Sequence, residues 1–162
     1  MKKLQSLLPL FWLLSVIFRL ILGVMFVYAG IGKAMDPSGF ALDIYHYRIL
    51  PGWMINPVAI VLPWIEVLAG CSLLAGVLLP GGALVVSTLL FLFAAALGIS
   101  LFRGLDISCG CFESAAGNTI TWWYLARDII LFLMGCTVLL LSHHTHFSVD
   151  SAIRRLRSGL RR

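Results

Sequence analysis

Charge is scarce in this sequence. Only 12% of its 162 residues are Asp, Glu, Lys or Arg, while 60% are hydrophobic; soluble chains carry about a quarter charged residues. A water-soluble fold would have too little polar surface to cover itself, so that class is excluded. Acidic residues are the scarcest, seven against 12 basic, and the formal charge of +5 raises nucleic acid as a partner. Location decides against it. Arg154, Arg155, Arg157, Arg161 and Arg162 crowd the last nine residues and Lys2 and Lys3 open the chain. The last 20 residues lack the aromatics and the length of an RNA-binding tail, so no nucleic acid is expected. Basic ends flanking apolar stretches hold both termini in the cytoplasm by the positive-inside bias, which requires an even number of spans. The opening has the charge and apolarity of a signal peptide, but no small-x-small cleavage site follows and the apolar pattern resumes after Arg19. A retained anchor is expected. No repeat or low-complexity stretch is visible, and the length suits one membrane domain over residues 1–162.

A bilayer core takes roughly 20 apolar residues per helix, and four stretches reach that length: about 13–31, 57–79, 83–102 and 122–141. The expected fold is all-α, an integral membrane four-helix bundle of the bacterial inner (cytoplasmic) membrane type, embedded in the lipid bilayer. Arg19 lies near enough to the cytoplasmic end of the first span to snorkel to the headgroups. The string Leu79-Pro80-Gly81-Gly82 reads as a tight cytoplasmic turn, making the second and third spans antiparallel neighbours. Residues 32–56 form an outer segment with Asp36-Pro37, Phe40, Tyr45, Tyr47 and Trp53, expected to lie on the membrane surface as short helix and turn. Residues 103–121 form a second outer segment, expected to close over the outer end of the bundle. Trp122, Trp123 and Tyr124 mark the outer interface. Residues 143–162 form a basic cytoplasmic tail, with His143, His144 and His146 as solvated residues rather than ligands.

Four cysteines fall into two kinds. Cys109-Gly110-Cys111 lies in the second outer segment, in a compartment where disulfides persist. One intervening residue allows only a small strained ring, and strain makes a disulfide exchange readily. Gly110 tolerates the backbone geometry that such close cysteines impose. Two alternatives stay open: separate or absent bonds, and a thiolate site for Cu(I), for which the segment offers no further Cys, Met or His. Cys71 and Cys136 lie within the second and fourth spans at matching depths of roughly 20 Å. Each is expected to pack as a small apolar residue, with an intramembrane relay as the alternative.

Charges within the spans point to a site, because each costs roughly 2.5–3.5 kcal/mol at mid-bilayer and must find partners inside the bundle. By helical rise, Glu66 lies about 13 Å below the outer surface, Arg127 about 7 Å and Asp128 about 9 Å. Tyr28 and Lys33 reach toward the same level. One reading is an Arg127–Glu66 ion pair that orients two helices. The other is a site for an acceptor of dithiol electrons and protons. A quinone in the bilayer fits that need, with Arg127 or Tyr28 stabilising the reduced oxygen and Glu66 supplying protons. No metal site is expected.

Several strings resemble one family: Arg19-Leu20 through YAGIGKAMDP, LPWIEVLAG, RGLDISCGCF, and Trp122-Trp123 to Arg127-Asp128. They look like the MauE family of methylamine-utilisation membrane proteins, within the broader DoxX-like group. The resemblance covers roughly residues 19–142. It implies a four-span redox-associated membrane protein working with a periplasmic thioredoxin-like partner in disulfide maturation of exported proteins. It marks Cys109 and Cys111 as the redox pair, and Tyr28, Lys33, Glu66, Arg127 and Asp128 as polar positions of the family type whose roles it does not supply. The function expected is thiol-disulfide exchange between that partner and a membrane carrier. The alternative is a non-catalytic anchor or assembly subunit of a periplasmic redox complex.

Overall fold

The computed structural model describes residues 2–103 and 122–142. Five helices make up this part: α1 (Lys2–Met35), α2 (Pro37–Tyr47), α3 (Gly52–Ala75), α4 (Leu79–Phe102) and α5 (Trp122–Ser142). All but α2 are long and apolar enough to cross a bilayer. Between 22% and 33% of each crossing helix's most apolar stretch is buried, so most of the apolar surface faces outward. That is the arrangement expected when lipid, not water, is the surrounding solvent.

The four long helices form a closed ring in which α1 packs on α3, α3 on α4, α4 on α5 and α5 on α1, while α2 lies chiefly against α3. The core between them holds Leu22, Phe26, Leu73, Val86, Leu131 and Val138. α1 and α3 make the most extensive contact, and glycine permits it. A Cβ built on Gly70 would lie 2.9 Å from the Gly23 carbonyl oxygen, and one on Gly30 would lie 2.8 Å from that of Pro63. Without a hydrophobic drive between helices in lipid, this close backbone approach supplies the packing energy.

Helix boundaries differ from the sequence reading in three places. α1 continues past residue 31 to Met35, so Lys33 is a helical residue rather than part of a surface segment. α3 begins at Gly52 and carries Pro57 and Pro63 in its interior; membrane helices tolerate proline because neighbouring groups satisfy the freed carbonyls. The turn between α3 and α4 falls at residues 76–78, before Pro80. Gly76 takes a left-handed φ of 71° and donates its N–H to the Ser72 carbonyl, the usual use of glycine after a helix end. Pro80 sits in the first turn of α4, where its missing N–H costs nothing. α3 and α4 are the antiparallel neighbours expected.

Within residues 32–56, the expected short helix and turn are present as α2. The Asp36 carboxylate caps it, accepting from the Gly39 N–H at 2.9 Å and the Ser38 hydroxyl at 2.8 Å. Its C-terminal residue Arg48 is left-handed, with φ 49°. The Phe102 and Trp122 rings meet edge to face at 6.0 Å, which brings the end of α4 beside the start of α5. Residues 104–121, with Cys109 and Cys111, and the tail 143–162, with its three histidines, lie outside the described residues.

Candidate functional site

Each helix of the ring sends one residue to a common level. Lys33 of α1, Glu66 of α3, Phe93 of α4 and Asp128 of α5 line one small cavity of about 20 Å³ between apolar side chains such as Phe26 and Leu131. The volume suits a single water-sized occupant. Lys33, Glu66 and Asp128 are all buried. The Lys33 ammonium donates to Glu66 Oε1 at 2.6 Å, and side-chain exposures of 5% and 2% make this an ion pair shielded from any solvent. Glu66 Oε2 has no hydrogen-bond partner among the described residues. The Lys33 charge also lies over two aromatic faces, 4.7 Å from the Phe93 ring centre and 5.1 Å from that of Phe40, a favourable geometry for a cation out of water.

Arg127 and Asp128 form a second pair. The guanidinium donates to Asp128 Oδ1 through Nη2 at 3.0 Å and Nε at 3.2 Å, and it lies 5.3 Å from the Tyr124 ring centre. The pairing drawn from sequence, Arg127 with Glu66, is therefore corrected: Glu66 takes Lys33, and Arg127 takes its own neighbour. The cause is the extra helical turn of α1, which carries Lys33 inward to Glu66. A boundary set at residue 31 had hidden it.

The structure brings together Lys33, Glu66, Asp128 and, at the edge, Arg127. Tyr28 is not among them. Five residues of α-helix rotate about 140°, so Tyr28 and Lys33 take different faces of α1, and Tyr28 is 70% exposed toward the surroundings. Cys71 and Cys136 are free thiols on α3 and α5, helices that stand across the ring from one another. Cys71 is exposed and Cys136 half-buried, so Cys71 is not the buried packing residue the sequence suggested.

A second, larger cavity was not anticipated. It encloses about 390 Å³ between α2, α3 and α4, and is lined by Phe40, Asp43, Tyr47, Leu62, Phe93 and Ala96 among others. Phe40 and Phe93 belong to both places, so the two rings that hold the Lys33 ammonium also wall this cavity. Burial pushes the Asp43 carboxyl above the ordinary aspartate range, a shift that His46 opposes, Asp36 reinforces and Lys33 opposes. The rim is tied to the end of α4, since Arg103 Nη1 donates to the Arg48 carbonyl at 3.3 Å. Five residues separate Arg103 from Cys109 in the chain. The sequence signal was the run of aromatics with Asp43 in residues 40–47, read there as an interfacial surface only.

Comparison with known proteins places the chain in a family. The family described as methylamine utilisation protein MauE matches residues 11–142. A methylamine utilization protein MauE of Paracoccus denitrificans is 32% identical over 114 residues, 70% of this chain and 61% of the relative. One from Methylophilus methylotrophus is 29% identical over 135 residues, covering 82% and 71%, and one from Methylorubrum extorquens is 30% identical over 111 residues, covering 68% and 60%. The matched segment thus spans less than two thirds of the Paracoccus denitrificans and Methylorubrum relatives. No solved structure matches. With four membrane-crossing helices and a family match running from the first of them to the last, this multi-pass membrane chain belongs to the MauE family.

Proposed function

We propose that the chain is a membrane thiol-disulfide oxidoreductase. Cys109 and Cys111 exchange with a periplasmic thioredoxin-like protein, electrons pass between this pair and a carrier in the bilayer, and the purpose is maturation of exported proteins, those of methylamine utilisation among them. One observation carries the reading. The segment that bears the two cysteines leaves from Arg103 and returns at Trp122, and both roots stand at the end of the bundle that carries α2 and the buried charges. On this reading the dithiol serves a protein partner from the aqueous side and an apolar carrier from the membrane. Close thiols favour exchange over permanent cross-linking, and the positive-inside bias supports an outward placement for this end.

Trapping tests it. Cys111→Ser leaves Cys109 able to attack but unable to resolve, so a mixed disulfide with an exported protein should accumulate and disappear when Cys109→Ser is added. Loss of function in both single variants accompanies it. Should Cys109 be accessible to alkylation yet form no adduct, and the double serine variant retain function, the chain is an anchor whose disulfide locks its outer segment.

A further inference from the structure

From the second cavity we infer that the chain binds the ring of an isoprenoid quinone between α2, α3 and α4, with Phe40, Tyr47 and Phe93 as its aromatic walls and Asp43 as the acceptor for a ring hydroxyl. This rests on the proposed function for its electron transfer, but not for binding itself.

The volume of about 390 Å³ falls in the range of roughly 300–1,000 Å³ typical of small-molecule sites, which are mostly apolar with a few placed polar groups. An acyl chain would fill an apolar slot, but it offers nothing to a carboxyl group held in one. Asp43 lines this cavity together with Tyr47, and its carboxyl retains a proton more readily than an ordinary aspartate because of burial. A quinone matches this lining: a flat ring for the aromatic walls and, once reduced, a hydroxyl for the Asp43 carboxylate to accept from. Its isoprenoid tail can remain among lipid chains. The cavity walls also include Ile49 and Leu50, next to the Arg48 carbonyl that holds Arg103. The ring site and the root of the cysteine segment are therefore tied by a hydrogen bond.

The reaction balances without another reagent. The two thiols of Cys109 and Cys111 lose two electrons and two protons and form one S–S bond, while the quinone gains both electrons and both protons and becomes the hydroquinone. The reverse reaction balances equally.

The test uses the full chain in lipid nanodiscs with a photoreactive azidoquinone and decylubiquinone as competitor. Labelling should fall on α2, α3 or α4 peptides that line the cavity and be displaced by decylubiquinone. Ala96→Phe and, independently, Val58→Phe fill the cavity and should weaken displacement about tenfold or more. Asp43→Leu should weaken decylubiquinol about tenfold, the worth of a hydrogen bond to a charged group, whereas an acyl-chain site would bind as well or better. Labelling elsewhere, labelling that phospholipid displaces equally, or indifference to both filling variants overturns the proposal. The Cys109→Ser, Cys111→Ser double variant separates the two readings. Quinone binding that persists there, with no oxidation of dithiol by quinone in the parent chain, leaves the cavity standing and removes the oxidoreductase. Partner exchange without cavity labelling does the opposite.

Discussion

Replacing Lys33 by methionine should destabilise the bundle more than any other single change at the charged level. The substitution keeps the length of the side chain and removes the ammonium 2.6 Å from Glu66 Oε1. Glu66, 1% exposed, then keeps a carboxylate whose Oε2 already has no partner among the described residues. Breaking a buried pair by removing one partner costs about 3–5 kcal/mol, because the other charge is left uncompensated. Loss of the cation over Phe40 and Phe93 adds on the order of 0.5–2 kcal/mol. The converse change, Glu66→Gln, is milder: the amide oxygen still accepts from Lys33, whose charge keeps its two ring faces and its electrostatic attraction to Asp128. We expect about 1–2 kcal/mol there, near the cost of one weakened charged hydrogen bond. Lys33→Met with Glu66→Leu removes both charges together and should recover most of the loss, since well-packed apolar pairs replace buried ion pairs at little cost. The assay is reversible unfolding in mixed micelles with SDS, with Glu66→Leu alone completing the double-mutant cycle. A coupling energy below about 0.5 kcal/mol, or a double variant no better than Lys33→Met alone, would refute the claim that this pair is a mutually dependent unit.

Four further outcomes follow from the same structure. Gly30→Val places a side chain 2.7 Å from Val67 Cγ2 and 2.8 Å from the Pro63 carbonyl, and should cost about 1–3 kcal/mol by the same unfolding assay, whereas Gly32→Ala meets nothing within 4 Å and should leave stability unchanged or slightly raised. The two aspartates of the α2 region should respond oppositely to pH. Asp36 is held below the usual range by the Gly39 N–H and then the Ser38 hydroxyl, so its contribution is present above the ordinary aspartate pKa and lost as pH falls through the lowered one; the protection of the Gly39 amide relative to its intrinsic exchange rate should fall in acid and in Asp36→Ala. Asp43 is raised by burial, so its contribution is full below the ordinary pKa and lost as pH rises through the raised one; Asp43→Asn should remove this decline from the pH profile of unfolding. Cys71→Ser with Cys136→Ser should retain thiol exchange, and trapping of a disulfide between these two positions in the parent chain would restore the relay.

The spans were legible because the membrane makes a blunt demand: long apolar runs with polar groups turned inward. Helix ends were less so, because they depend on single backbone conformations. The sequence placed the turn at Leu79-Pro80-Gly81-Gly82, whereas the left-handed φ of Gly76 ends α3 at Ala75 and leaves Pro80 inside the first turn of α4. For the site, the sequence identified Glu66, Arg127 and Asp128 by their cost in lipid and Lys33 by its level, and the structure gathers Lys33, Glu66 and Asp128 around one cavity. It misassigned the partners, since the residue facing Glu66 is fixed by the rotation of α1, not by depth. Tyr28 shows the same blindness: depth brought it toward the site on paper, and rotation turns it outward. The larger cavity was invisible because α2, α3 and α4 create it together.

Phe40 and Phe93 connect the charged level to that cavity, and this shapes what the charges can do. The Lys33 ammonium lies against both rings, so an occupant of the cavity meets aromatic carbon rather than the ion pair itself. Lys33 and Glu66 then act on the occupant through the position of the walls. Removing the pair alters the cavity by repacking, whereas removing Asp43 alters it by chemistry. The two effects separate by readout. Lys33→Met with Glu66→Leu should shift affinity for quinone and hydroquinone together, because a displaced wall is indifferent to the redox state of the ring. Asp43→Leu should weaken the hydroquinone selectively, because only the reduced form has a hydroxyl to donate. If the charge-free double variant instead discriminated between the two redox states, the ion pair would have to reach the ring directly, and the separation of charges from carrier by the two phenylalanines would be wrong.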